Sequence, residues 1–167
     1  ETRGTLFFEI EAILRKHQPK AFFLENVKGL AIHDKGRTLK TILTHLDNAG
    51  YDVVPPQVLN AMDFGFPQHR ERIYIIGFRK DLGIDITKFQ YPEPKTVGDL
   101  RPKFRDVMEE DVPSVKYYLS TVYIETLKRH RAHHEAAGHG FGYEIIDTNG
   151  VANAIVVGGM GRERNLL

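Results

Sequence analysis

Pro67-Gln68-His69-Arg70-Glu71-Arg72-Ile73-Tyr74-Ile75-Ile76-Gly77-Phe78 is the stretch on which the fold turns. Its second half is a continuous apolar run of strand length, which predicts a strand covered on both faces. Its first half sets Gln68, Arg70 and Arg72 at alternate positions. If the chain is extended there, all three side chains point to one face. Two guanidiniums and an amide leading into a buried strand can hold a phosphate or a base oxygen through several hydrogen bonds. A strand-entry charge cluster partnered by Glu71 explains the same residues, and the pattern alone leaves both readings open.

Toward the N-terminus, Leu6, Phe7, Ile10, Ile13 and Leu14 have helical spacing within residues 4–17, and Pro19 stops that helix. Ala21-Phe22-Phe23-Leu24 reads as a short strand buried on both faces. Leu39, Ile42, Leu43 and Leu46 mark a second amphipathic helix, closed near Gly50. Pro55-Pro56 breaks Tyr51–Leu59, so a strand there is short or at an edge. Helix–strand–helix–strand alternation predicts an α/β layer with a largely parallel sheet. In such sheets ligands bind beyond the carboxyl ends of the strands, which is where Glu25-Asn26 follows its apolar run. A carboxyl beside an apolar strand can hold a proton at neutral pH, donating to a ring nitrogen and accepting from an exocyclic amine. A capping Asn and a solvated Glu is the plainer alternative.

The character changes near Tyr91-Pro92-Glu93-Pro94, and a boundary is placed there: residues 1–92 form an α/β part and residues 93–167 an irregular one. Ser120 is positioned to cap a helix through about His134, with Val122, Ile124 and Leu127 as its apolar positions. Gly138–Gly142 is a loop, and Ala154-Ile155-Val156-Val157 a short strand leading into Gly158-Gly159-Met160-Gly161-Arg162-Glu163-Arg164. That glycine-rich loop lacks dinucleotide-binding spacing. Its backbone could approach a ligand closely, its arginines could reach base edges and its Met could wedge into a base stack, though a turn with solvated charges is the commoner case. His130, His133, His134 and His139 lack the glutamate of a metalloprotease helix, and the expectation is exposed histidines with no metal.

The chain has 167 residues, 41% of them hydrophobic and 27% charged, which predicts a packed core rather than disorder. A net charge of +1 does not itself indicate nucleic acid, so any such contact must be local. Zero cysteines exclude a disulfide framework, a thiolate zinc site and a thiol nucleophile supplied by this chain. No apolar run is long enough to span a membrane, and no signal peptide appears. The chain opens on Glu1 rather than Met and stops at Asn165-Leu166-Leu167, so both ends read as cuts.

Taken in order, Thr2-Arg3-Gly4-Thr5-Leu6-Phe7-Phe8, Leu24-Glu25-Asn26-Val27, Leu59-Asn60-Ala61-Met62-Asp63-Phe64-Gly65 and Pro67-Gln68-His69-Arg70-Glu71-Arg72-Ile73 resemble four consecutive blocks of the bacterial DNA cytosine-5 methyltransferases. Each block alone is weak, and the ordered set is specific. Tyr117-Tyr118-Leu119-Ser120 through Gly140-Phe141-Gly142-Tyr143 looks like the start of that family's target-recognition region.

The resemblance implies part of a Rossmann-like, S-adenosylmethionine-dependent methyltransferase sheet followed by a small irregular recognition region. It implies methylation of C5 of a flipped cytosine in duplex DNA, in a cytoplasmic bacterial restriction–modification system. Glu25, Arg70 and Arg72 match catalytic positions, Asn26 and Gln68 supports of the base pocket, Leu6 a cofactor-pocket residue, and Met160, Arg162 and Arg164 DNA-reading positions. The family's Phe-x-Gly-x-Gly cofactor loop, its Pro-Cys nucleophile loop and its last two blocks are missing from this chain. The segment alone is therefore expected to be inactive, its partners being DNA and the remainder of the enzyme. A non-catalytic DNA-binding or regulatory half of a split enzyme and an RNA cytosine-5 methyltransferase of the same superfamily are the alternatives, the latter disfavoured by the long region after residue 93.

Overall fold

The computed structural model describes residues 6–95, 101–111, 113–140, 142–155 and 165–167. They form two compact units, one of Glu1–Asn60 with Glu71–Pro94 and one of Ala61–Arg70 with Lys95–Leu167.

In the first unit, helix α1 (Leu6–His17) leads to strand β1 (Ala21–Val27), then helix α2 (Arg37–Asn48), strand β2 (Tyr51–Val53) and strand β3 (Gln57–Asn60). Strand β5 (Glu71–Arg79) returns and is the centre of the sheet. β1 pairs along one edge of β5, and β2 and β3 also pair with it. All three ladders are antiparallel, which corrects the expected parallel sheet. The crossover through α2 does make β1 and β2 run the same way. What the alternation did not show is that β5 comes back between them in the opposite sense.

The prolines have a measurable effect on register. Val53 lies opposite Gly77, but Gln57 lies opposite Tyr74, so the three residues between them on one strand face two on the other. The extra residue at Pro55-Pro56 makes a bulge, which suits residues unable to donate to the ladder.

One face of the sheet is packed by both helices. Leu14, Phe22, Leu46, Ala49, Tyr51 and Ile75 form its core, with Phe7, Ile10, Leu39, Ile42 and Leu43 against them. Burying each large side chain contributes about 1.5–3 kcal/mol. Tyr51 is fully buried, and its hydroxyl donates to the Pro19 carbonyl at 3.0 Å. Buried Glu11 ties α1 to α2 through His45 at 2.9 Å and pairs within α1 with Arg15 at 2.7 Å. Burial pushes its carboxyl pKa up, but the hydrogen bonds and charges of Arg15 and His45 together outweigh this and hold it below the usual value.

Two expectations about burial are corrected. Phe23 is 65% exposed, so β1 is not covered on both faces. The reason is that α1 and α2 pack only the Phe22 and Leu24 side of a strand whose side chains alternate. On α1, Leu6 and Ile13 are seven residues apart on one flank and both exposed, while Phe7, Ile10 and Leu14 face the core.

The second unit has short strands. Strand β4 (Gln68–His69) pairs in parallel with β7 (Ala152–Asn153), and β6 (Glu144–Ile145) with β8 (Asn165–Leu166). The strand expected from Ala154 therefore lies earlier. The Asp147 carboxylate accepts from the Asn149 N–H and its carbonyl from Gly150, closing a turn from which Ala152 donates to Pro67. Ala154 and Ile155 are not strand, and Val156 and Val157 lie outside the described residues. Helix α3 (Thr121–Ala136) is capped as expected, Ser120 Oγ accepting from the Tyr123 N–H at 3.2 Å. Ile124 and Leu127 are half-buried, whereas Val122 is exposed. Arg131 joins the helix to the segment after it, donating to the Tyr143 carbonyl at 3.0 Å and lying over the Tyr143 ring.

Gly77 gives the packing a direct test. A Cβ there would stand 2.3 Å from the Phe22 ring, which packs edge-on to Tyr51. Gly77→Ala is expected to destabilise the chain by about 1–3 kcal/mol in urea unfolding, as overpacking does in a filled core. An unchanged midpoint would mean the Phe22 ring is not fixed there.

Candidate functional site

The β1–β5 register decides what meets at the end of the sheet. Glu25 lies opposite Tyr74 and Val27 opposite Arg72, so Glu25 and Arg72 are diagonal neighbours on one face. The Arg79 N–H donates to the Lys20 carbonyl across the same ladder. Counting from that hydrogen-bonded pair, Ala21–Phe78, Phe23–Ile76, Glu25–Tyr74 and Val27–Arg72 are the non-hydrogen-bonded pairs, in which side chains approach most closely. Long diagonal side chains are then within reach of each other.

The Arg72 Nε stands 2.7 Å from Glu25 Oε1. Arg72 is the more enclosed partner at 18% side-chain exposure, and Glu25 is 43% exposed. Arg72 also donates from Nη1 to the Glu71 carbonyl at 2.8 Å. Beyond it, Lys28 donates to both oxygens of the Glu71 carboxylate at 2.8 and 2.9 Å, tying the turn after β1 to the start of β5. A carboxylate thus sits at the carboxyl end of β1, oriented by a guanidinium that is itself fixed and half open to solvent on its other side. An ionised carboxyl held in this way can accept from an amine, and only a protonated one can donate to a ring nitrogen.

Asn26 points to the opposite face of β1, and its Oδ1 accepts from the Val27 N–H at 2.8 Å. It shapes the strand end rather than the pair itself. Past it, Asp34 and Lys35 hold positive φ of 51° and 56° ahead of Gly36 at 82°, an uncommon run for residues with a Cβ.

The structure does not place Gln68, Arg70 and Arg72 in one element. Gln68 lies in β4, which pairs with β7, whereas Arg72 lies in β5, which pairs with β1 and β3. Arg70 falls between these strands, and its carbonyl accepts from the Ala61 N–H at 3.0 Å. One run of sequence thus contributes to two ladders with different partners. Leu6 begins α1 with its side chain 68% exposed. Met160, Arg162 and Arg164 lie outside the described residues.

Sequence reasoning missed Lys28 and the aromatic pair on the same face, Phe23 and Tyr74, whose rings are 5.3 Å apart. The signal for Phe23 was available, since it lies two residues before Glu25. Tyr74 is also capped by the chain after β5: Phe89 packs on Phe78, Tyr91 on Phe89, and the Tyr91 hydroxyl donates to the Tyr74 carbonyl at 3.2 Å. Burial of that hydroxyl raises its pKa.

The pair lies at the carboxyl end of a strand of an α/β sheet, the end at which such sheets bind ligands. The chain belongs to the C-5 cytosine-specific DNA methylases, matching that family over residues 1–165. It is 61% identical over 168 residues to the type II methyltransferase M.HpaII of Haemophilus parainfluenzae, covering 100% of this chain and 46% of that protein. It is 48% identical over 151 residues to M.NlaX of Neisseria lactamica, covering 88% and 44%. The chain spans less than half the length of these relatives. The Entamoeba histolytica methyltransferase EhMeth shares the fold at a TM-score of 0.60 and 15% identity, over 91% of this chain and 41% of that one.

Proposed function

We propose that this chain supplies the cytosine-recognising part, and the start of the target-recognition region, of a DNA cytosine-5 methyltransferase of the restriction–modification type. The single observation that carries this is the Glu25–Arg72 pair at the carboxyl end of β1, 2.7 Å apart and open on one side. The sequence similarity to type II methyltransferases supports the reaction.

The substrate is a cytosine swung out of the DNA stack. Addition of a thiolate to C6 sends electron density into the ring, and N3 must receive a hydrogen bond or a proton. Glu25, protonated for this step, gives that hydrogen to N3 from one oxygen and accepts from the N4 amine with the other. Arg72 holds the carboxyl in that orientation and turns the rest of its guanidinium toward the O2 side. Asn26 and Gln68 act as supports of the base pocket, and Arg70 is the second arginine assigned a catalytic position. Met160, Arg162 and Arg164 contact DNA bases. The thiolate cannot come from this chain, which has no cysteine.

Methyltransferases of this family use S-adenosylmethionine, which supplies the methyl group when bound. Leu6 is the residue here assigned to its pocket, and a lone exposed leucine cannot hold a charged nucleoside. The residues described do not make that site by themselves. The remainder of the enzyme supplies it and covers the exposed flank of Leu6 and Ile13 together with Phe23. No helix among the described residues is long and apolar enough to cross a membrane, and the bacterial cytoplasm is the compartment proposed.

Two measurements test this reading. In the enzyme completed with its remaining segments, Glu25→Gln should lower kcat by about 10²–10⁴-fold, because the contact strengthens as N3 gains a proton, with DNA affinity nearly unchanged. Wild-type turnover in that variant would overturn the assignment. The 167-residue chain alone, given duplex DNA and labelled S-adenosylmethionine, should transfer no methyl, and co-expression with the missing segments should restore transfer. Methylation by the chain alone would refute the assignment of the thiolate to another segment.

A further inference from the structure

The last turns of α3 carry a feature that cytosine chemistry does not use. His130 and His134 are one helical turn apart, and their Nε2 atoms converge to 3.1 Å with ring centres 4.4 Å apart. Two imidazole nitrogens bound to one zinc ion, at bond lengths of about 2.0–2.1 Å, stand about 3.0 Å apart at a right angle and about 3.4 Å at the tetrahedral angle. The observed separation falls between these. Imidazole suits late first-row divalent ions, and a pair on one helix face presents both nitrogens without bending the backbone.

We propose that His130 and His134 form a two-histidine chelate for a late first-row divalent ion such as Zn2+. Among the described residues no group of three or more His, Cys, Asp or Glu converges on one point, so water completes the shell. The neighbouring Glu135 is engaged by the Arg131 Nε at 2.7 Å. His133 and His139 have ring centres 5.6 and 6.3 Å from that of His134, beside the chelate rather than in it. A bound ion would staple the last turns of α3, since it holds residues i and i+4 in helical register.

A ring-to-ring hydrogen bond between one protonated and one bare nitrogen would give the same spacing, and the experiment separates the two. The chain is titrated with ZnCl2 while the histidine ring nitrogens are followed by 15N NMR. The rings of His130 and His134 should shift together at sub-millimolar Zn2+ and revert with EDTA. His130→Gln or His134→Gln should weaken binding by at least about tenfold, and His133→Gln or His139→Gln by no more than about twofold. Absence of any ring shift at millimolar Zn2+ would leave only the hydrogen bond and overturn the proposal. So would an effect carried equally by His133 or His139.

Discussion

The antiparallel ladder between β1 and β5 is the constraint on which the rest of this structure depends. It makes β5 the central strand, and it sets residue 72 beside residue 27 rather than at the far end of β1. Reverse the direction and Arg72 would stand near Ala21, about six strand residues or roughly 20 Å from the carboxylate it holds. The same register puts Phe22 over Gly77, where no larger residue fits, and leaves the opposite face to Phe23, Glu25, Arg72 and Tyr74. The core and the site are thus two faces of one pairing.

Much of the secondary structure was legible because it rests on local physics. Helical spacing marked α1 and α2, Pro55-Pro56 marked the break between β2 and β3, and Ser120 marked the start of α3. Strand direction was not legible, because an apolar run carries no sign. Alternation fixed the relation of β1 to β2 through α2, but nothing in Ile73–Phe78 said that it would return between them. The burial of β1 was misread for a related reason: an apolar side chain such as Phe23 shows that a face avoids water, not what covers it.

The site shows the same division. Glu25 and Arg72 were picked out by chemical type and position, and the structure joins them by a direct contact. Gln68 and Arg70 were grouped with Arg72 by period-two counting, which assumes one continuous strand. The chain instead changes sheets between His69 and Glu71, a tertiary event with no local signature. Lys28 escaped notice because its partner, Glu71, is distant in sequence and is reached only through the ladder.

Because the chain contains no cysteine, strand direction can be read by disulfide trapping without background. Ala21 and Phe78 are a directly opposed, non-hydrogen-bonded pair, with Cα atoms expected about 4.5 Å apart, within the range a disulfide spans. The double variant Ala21→Cys/Phe78→Cys should close to a disulfide on mild oxidation, and Ala21→Cys/Arg72→Cys should stay reduced. Closure of the second pair and not the first would reverse β1 against β5, and with it remove Arg72 from Glu25.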